Sequence, residues 1–228
     1  MLKAFLCMIA LTASAAPIRV VLVGDSTVAE GGGWGPGFRA SFTSAVETVN
    51  LAANGRSSKS FRDEKRWEPA LTAKADYILI QFGHNDVPGK GPDRETDAAT
   101  TFRANMARYV DEARAAGATP VLVTSIVRRN FDESGKLKAD SLVPYVEAVR
   151  AVAAERHVPL IDLYQLTWEQ AAKLGEKGCE TELGAIDDKG KPDHTHLGPK
   201  GQSAIGAIAA HELVALFPSL KSDLREAQ

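Results

Sequence analysis

The chain has 228 residues, 44% hydrophobic and 25% charged, enough to bury an ordinary core in one domain rather than two. Its 27 Lys and Arg against 29 Asp and Glu leave a formal net charge of -2. That balance gives no electrostatic footprint for nucleic acid or another polyanion, and it suits a soluble protein with a neutral or mildly acidic ligand.

Met1-Leu2-Lys3 and the apolar run Ala4 to Ala13 form a cationic start and a hydrophobic segment too short to span a bilayer. With the small residues Ala13-Ser14-Ala15-Ala16 behind them, residues 1–16 read as a signal peptide, and residues 17–228 as one exported domain, secreted or periplasmic and without membrane insertion. An N-terminal strand or helix is the plainer reading of the same run. Cleavage would remove Cys7 and leave Cys179 alone, so the mature chain could form no internal disulfide.

Apolar runs predict buried strands at Ile18 to Val23, Thr48 to Ala52, Tyr77 to Phe82, Pro120 to Ile126 and Val158 to Leu163. Between them, apolar residues at three- and four-residue spacing predict helices over Pro36 to Val46, Thr96 to Ala116, Leu142 to Arg156, Tyr164 to Lys173 and Lys200 to Leu216. Gly117 marks a helix stop, because glycine accepts the left-handed conformation that closes a helix. Strict alternation of doubly apolar strands with helices predicts a three-layer α/β/α sandwich around a mainly parallel five-stranded sheet. The polar stretches Arg128 to Asp140 and Gly175 to Pro192 read as loops over the sheet edge or the site.

In open sheets of this kind ligands bind beyond the carboxyl ends of the strands, where three polar segments follow strands directly. Gly24-Asp25-Ser26-Thr27-Val28 places a hydroxyl at a strand end; Val28 stands where the nucleophile elbow G-x-S-x-G needs its second glycine, which excludes the ordinary α/β-hydrolase pattern. A serine there serves equally well as a helix N-cap. Asn54-Gly55-Arg56-Ser57-Ser58 is either a plain turn or a close backbone approach to a ligand. Gly83-His84-Asn85-Asp86 is either an Asx turn or a source of an amide donor for an oxyanion.

Far downstream, Asp193-His194-Thr195-His196 reads as a loop entering the last helix. A carboxylate and an imidazole three residues apart can touch there, and an imidazole oriented by a carboxylate is what a serine hydroxyl needs to become a nucleophile. By composition either histidine could be the base. A zinc or manganese site is the sharp competitor, although neither H-E-x-x-H nor paired cysteines occur.

At these four ordered blocks the sequence resembles the SGNH (GDSL-type) hydrolases and, within them, the rhamnogalacturonan acetylesterases. The resemblance covers nearly all of the mature chain. It implies Ser26 as nucleophile, His196 as base and Asp193 as its partner, with the Ser26 and Gly55 N-H groups and the Asn85 side chain as the oxyanion hole. It implies two-step acetyl transfer with no cofactor; that no metal is expected follows from the missing ligand motifs. Trp34-Gly35 after the glycine run also looks like the pectin-acting branch, though a tryptophan there could be core.

The implied activity is an exported esterase that removes acetyl groups from pectic polysaccharide, expected as a monomer whose partner is an acetylated poly- or oligosaccharide. Asp25 is expected to brace its loop by hydrogen bonds, and Arg56, His84 and His194 are candidate substrate contacts. Arg56 and Arg128 could meet galacturonate carboxylates, though surface arginines are usually solvated. The rivals are a xylan acetylesterase, a broader GDSL-type esterase or lipase, a noncatalytic carbohydrate-binding relative and a metal-dependent phosphoesterase.

Overall fold

The computed structural model describes residues 16–226. The expected signal peptide therefore lies, but for Ala16, outside the described residues. Five parallel strands, β1 (Ile18–Gly24), β2 (Val46–Asn50), β3 (Tyr77–Gln81), β4 (Thr119–Val123) and β5 (Leu160–Ile161), form a sheet in the order β2-β1-β3-β4-β5. Val20 to Val23 of β1 are buried on both faces, as a parallel sheet covered on each side requires.

The helices α1 (Gly35–Ala40), α6 (Leu163–Glu182) and α7 (Pro199–Leu216) pack together. Gly37 and Gly206 make the α1–α7 crossing possible, since a Cβ on either would lie about 2 Å from backbone of the other helix. A second group holds α4 (Arg103–Ala115), entered through a π turn at Ala98–Phe102, and α5 (Val143–Arg156). The short helices α2 (Ser60–Asp63) and α3 (Glu68–Thr72) precede β3. Gly117 closes α4 at φ 83°, as its composition predicts.

Several boundaries differ from the sequence expectation. The helix expected over Pro36 to Val46 stops at Ala40, because Val46 is drawn into the sheet beside Ile18. The fifth strand contracts to two residues: Pro159 cannot donate to a ladder, and Asp162 turns to cap α6. The expected loop from Gly175 is helical to Glu182, kinked at Gly175, which adopts φ 68°. It then forms β6 (Gly184–Ile186), paired antiparallel with β7 (Pro192–Leu197) in a two-stranded ribbon. Asp193 to His196 is thus strand, not loop.

An aromatic cluster ties the loops beyond the sheet together. Phe82, just past β3, stacks on Tyr109 of α4 at 5.3 Å and packs against Phe61 of α2 at 5.3 Å. The Tyr109 hydroxyl donates to Ser58 O at 2.9 Å. The segment after β2 and the segment after β3 are in this way held to one helix.

Candidate active site

Ser26 lies just past β1 and caps no helix, since the next one begins at Gly35. Its loop is fixed from below by a continuous series of hydrogen bonds. Trp34 Nε1 donates to Gln81 Oε1 (2.9 Å), Gln81 Nε2 to Thr27 Oγ1 (2.7 Å), and Thr27 Oγ1 to Asp25 Oδ1 (2.7 Å). Asp25 also accepts from the Thr27 N-H, so it braces the loop as expected. Trp34 is fully buried and belongs to the core.

The downstream ribbon reaches the same point. His196 Nε2 lies 2.8 Å from Ser26 Oγ, and His196 Nδ1 lies 2.8 Å from Asp193 Oδ2. The other carboxylate oxygen of Asp193 accepts from the N-H groups of Thr195 (2.7 Å) and His196 (2.9 Å). Burial pushes the Asp193 carboxyl up, but the bonds from the His196 backbone, the His196 ring and the Thr195 N-H outweigh it, and its pKa falls below the ordinary carboxylate value. Gly32 permits the imidazole its place: a Cβ there would lie 3.2 Å from His196 Cβ.

Ser26, Gly32, Gly55, Asn85, Ile186 and His196 all face one cleft of about 420 Å³. Gly55 takes φ 74°, a backbone that favours glycine. Among the described residues the Ser26 and Gly55 N-H groups find no acceptor. Asn85 is largely buried, and its amide makes one long bond, 3.3 Å, to Arg56 O. Three donors are therefore free or nearly free beside the serine hydroxyl. A separate cleft of about 370 Å³ lies against α2 and α4, where Lys59 pairs with Asp63, and Arg62 and Arg108 with Glu112.

The other nominated residues are placed differently. His84 is buried, with neither ring nitrogen bonded among the described residues, so it does not face a substrate. Burial and the Arg128 charge hold its pKa well below the usual imidazole value, which leaves it neutral. His194 turns its Nδ1 to Arg129 O at 3.0 Å, so the two histidines of the motif do not converge. Among the described residues no group of three His, Cys, Asp or Glu gathers as a metal site would need. Arg56 is paired with Glu64 and does not line the cleft. Arg128 is occupied by Asp140, Ser141 and His84 O, an internal clamp on its loop. Cys179 is buried and free.

Two supports were not foreseen. Asp86 accepts from Ser58 Oγ (2.5 Å), Ser58 N (3.1 Å) and Thr96 Oγ1 (3.0 Å), which locks the Asn85 segment to the Gly55 segment. Its burial outweighs these bonds and raises its pKa to about 7. Arg129, 3% exposed, donates to the backbone of the ribbon. Arg129 has no sequence signal, because arginines are usually solvated; Asp86 stands in the Gly83-His84-Asn85-Asp86 block, but nothing in the sequence pairs it with Ser58.

A parallel sheet in this order, with a hydroxyl, an imidazole and a carboxylate in series at its carboxyl edge, defines an α/β/α hydrolase. The chain belongs to the GDSL-like Lipase/Acylhydrolase family, whose model matches residues 22–204. It is 36% identical over 225 residues to a rhamnogalacturonan acetylesterase of Bacillus subtilis (strain 168), covering 91% of this chain and 94% of that one. It is 30% identical over 226 residues to a rhamnogalacturonan acetylesterase of Emericella nidulans, covering 86% and 85%. Solved structures share the fold. A protein of Bacillus subtilis superposes with a TM-score of 0.74 at 23% identity, over 88% of this chain and 57% of that longer one. An acetylxylan esterase of Geobacillus stearothermophilus superposes with a TM-score of 0.63 at 17% identity, over 88% and 94%.

Proposed function

We propose that this esterase removes O-acetyl groups from a pectic polysaccharide of the rhamnogalacturonan type, with Ser26 as nucleophile, His196 as general base and Asp193 orienting the imidazole. The observation that carries this reading is the series Ser26–His196–Asp193, bonded at 2.8 Å and 2.8 Å and opening into the cleft that Gly55 and Asn85 line. The acetylesterase relatives support the choice of substrate class. Export rests on the cationic and apolar start of the chain.

In the first step Ser26 Oγ bonds to the acetyl carbonyl carbon while its proton passes to His196 Nε2. The Ser26 and Gly55 N-H groups and the Asn85 amide receive the oxyanion; one such donor contributes roughly 3 to 4 kcal/mol to the transition state. The ester C–O bond breaks, and His196 returns the proton to the departing sugar oxygen. Water then attacks the acetyl-serine carbonyl while His196 takes its proton; the bond from the acyl carbon to Ser26 Oγ breaks, His196 returns the proton to Oγ, and acetate leaves. Asp193, ionised across the neutral range, offsets the imidazolium that forms twice in the cycle.

The deciding experiment measures acetate release from acetylated rhamnogalacturonan, acetylated xylan and p-nitrophenyl acetate, by the parent chain and by Ser26→Ala. The expected outcome is preference for the pectic substrate and loss of all three activities in the variant. Full activity of Ser26→Ala would remove the nucleophile assignment. Faster release from acetylated xylan would move the substrate to that class.

A further inference from the structure

Every backbone carbonyl from Asp193 to His196 ends on one residue, Arg129. Its Nη2 donates to Asp193 O (2.9 Å) and His196 O (2.6 Å), its Nη1 to Thr195 O (3.2 Å), and its own N-H to His194 O (2.8 Å). The side chain is buried, and no carboxylate lies within ion-pair reach of it among the described residues. A guanidinium so placed spends its planar fork on peptide dipoles rather than on a counter-ion.

We infer that Arg129 is a positioning residue for the relay from Ser26 to Asp193, holding the register and depth of the strand that carries both the base and its carboxylate; this rests on the reading above. The need follows from the ribbon's geometry. β7 pairs along one edge only, with three partners in β6 and an irregularity between Gly184 and Ala185. A two-stranded ribbon is marginal by itself, and a slip of one residue would send every side chain to the opposite face. His196 and Asp193 would then leave Ser26. Arg129 bonds to the four carbonyls of that segment from the side, and Leu197 N fixes its end to Gly32 O at 2.8 Å.

The test uses the full chain with Arg129→Met, which keeps bulk and removes the donors, and Arg129→Lys, which keeps charge without the fork. Sites are counted by labelling to completion with a serine-reactive phosphonate, and kcat and KM for p-nitrophenyl acetate are expressed per labelled site. Arg129→Met is expected to lose kcat by about 10²-fold, the effect of roughly 1 Å of misplacement, with KM within about two-fold, and Arg129→Lys to recover part of that loss. A merely structural role would lower the number of labelled sites and the Tm but leave kcat per site unchanged, and that result overturns the inference. Should Arg129→Met not fold, a fall in kcat per site for Arg129→Lys at unchanged KM decides it. Failure of the parent to label would sink the nucleophile assignment itself, whereas a labelled parent and an unaffected variant sink this inference alone.

A second observation concerns the same ribbon where it borders the cleft. Ile186, 65% exposed, is one of two large apolar side chains left open among the described residues, and it lines the cleft beside the catalytic groups. The geometry points to Ile186 as a specificity-determining contact for the apolar face of a sugar ring adjoining the acetylated one. Ile186→Asn is expected to raise KM for an acetylated oligosaccharide by about ten-fold and to leave p-nitrophenyl acetate, which has no second ring, within about two-fold. Equal effects on both substrates, or on neither, would overturn it.

Discussion

Replacing Asp193 by Asn isolates the role of one oxygen. The amide oxygen can keep the position that accepts from Thr195 N (2.7 Å) and His196 N (2.9 Å), so the backbone around the base stays anchored. The other position, 2.8 Å from His196 Nδ1, becomes an NH2 group. A donor now faces Nδ1, which must turn acceptor, and the ring proton moves to Nε2. There it points at Ser26 Oγ, 2.8 Å away, and leaves no lone pair to take the hydroxyl proton. A wrong tautomer held in correct geometry costs roughly 10⁴-fold in kcat, or about 5 kcal/mol of barrier, while loss of the charge-assisted bond lowers stability by only about 1 to 3 kcal/mol. Steady-state hydrolysis of p-nitrophenyl acetate, with Tm measured in parallel, separates the two. Asp193→Ala, which also removes both backbone anchors, should melt lower than Asp193→Asn. A kcat loss below about ten-fold in a folded Asp193→Asn would refute the tautomer reasoning.

Gly32→Ala places a methyl 3.2 Å from His196 Cβ and 3.4 Å from Cδ2, so the ring must yield by a few tenths of an ångström; kcat should fall by about 3- to 10-fold at nearly unchanged Tm. An unaltered kcat would mean the ring is not confined on that side. Asn85→Ala should lower kcat by about 10²- to 10³-fold with little change in Tm, since the amide's one protein bond is a 3.3 Å contact; a smaller loss than ten-fold would exclude it from the oxyanion hole. For Asp86, the folded carboxyl holds its proton up to about pH 7 against an ordinary value of 3.8. The folded state is thus the tighter proton binder, and this contribution to stability is complete below the lower value and lost as pH rises through the higher one. Asp86→Asn mimics the protonated acid, with an oxygen still accepting from Ser58 and Thr96, so its Tm should decline less than the parent's between about pH 4 and 8. Parallel declines would show that another group carries the dependence.

The sheet was legible because each central strand is a run of β-branched and aliphatic residues long enough to cross a doubly covered layer, as Val20 to Val23 are. The groups at strand ends were legible for the same reason, since β1, β2 and β3 deliver Ser26, Gly55 and Asn85 to neighbouring positions along one edge. The β6–β7 ribbon was not. Pro192-Asp193-His194-Thr195-His196-Leu197 has no apolar alternation, and its strand conformation is stabilised by Arg129 from outside the ribbon, a contact between positions some 65 apart. Arg128 and Arg129 illustrate the limit. Adjacent and chemically alike, they divide into a loop clamp and a ribbon support according to the direction of each side chain, which no composition records.

Ser26 and His196, the proposed nucleophile and base, lie 170 positions apart, the first just past a strand of the sheet and the second on a ribbon that docks beside it. Closing a loop of that length costs chain entropy that the packing of the ribbon against the sheet must offset. Until the segment around Asp193 is seated against Arg129 and Gly32, the polypeptide has its sheet but no proton acceptor for Ser26. Enzymatic activity is therefore a stricter gauge of completed folding than circular dichroism. On the proposed mechanism an emerging or partly denatured chain carries an inert hydroxyl, and the catalyst exists only once Ser26 and His196 have met.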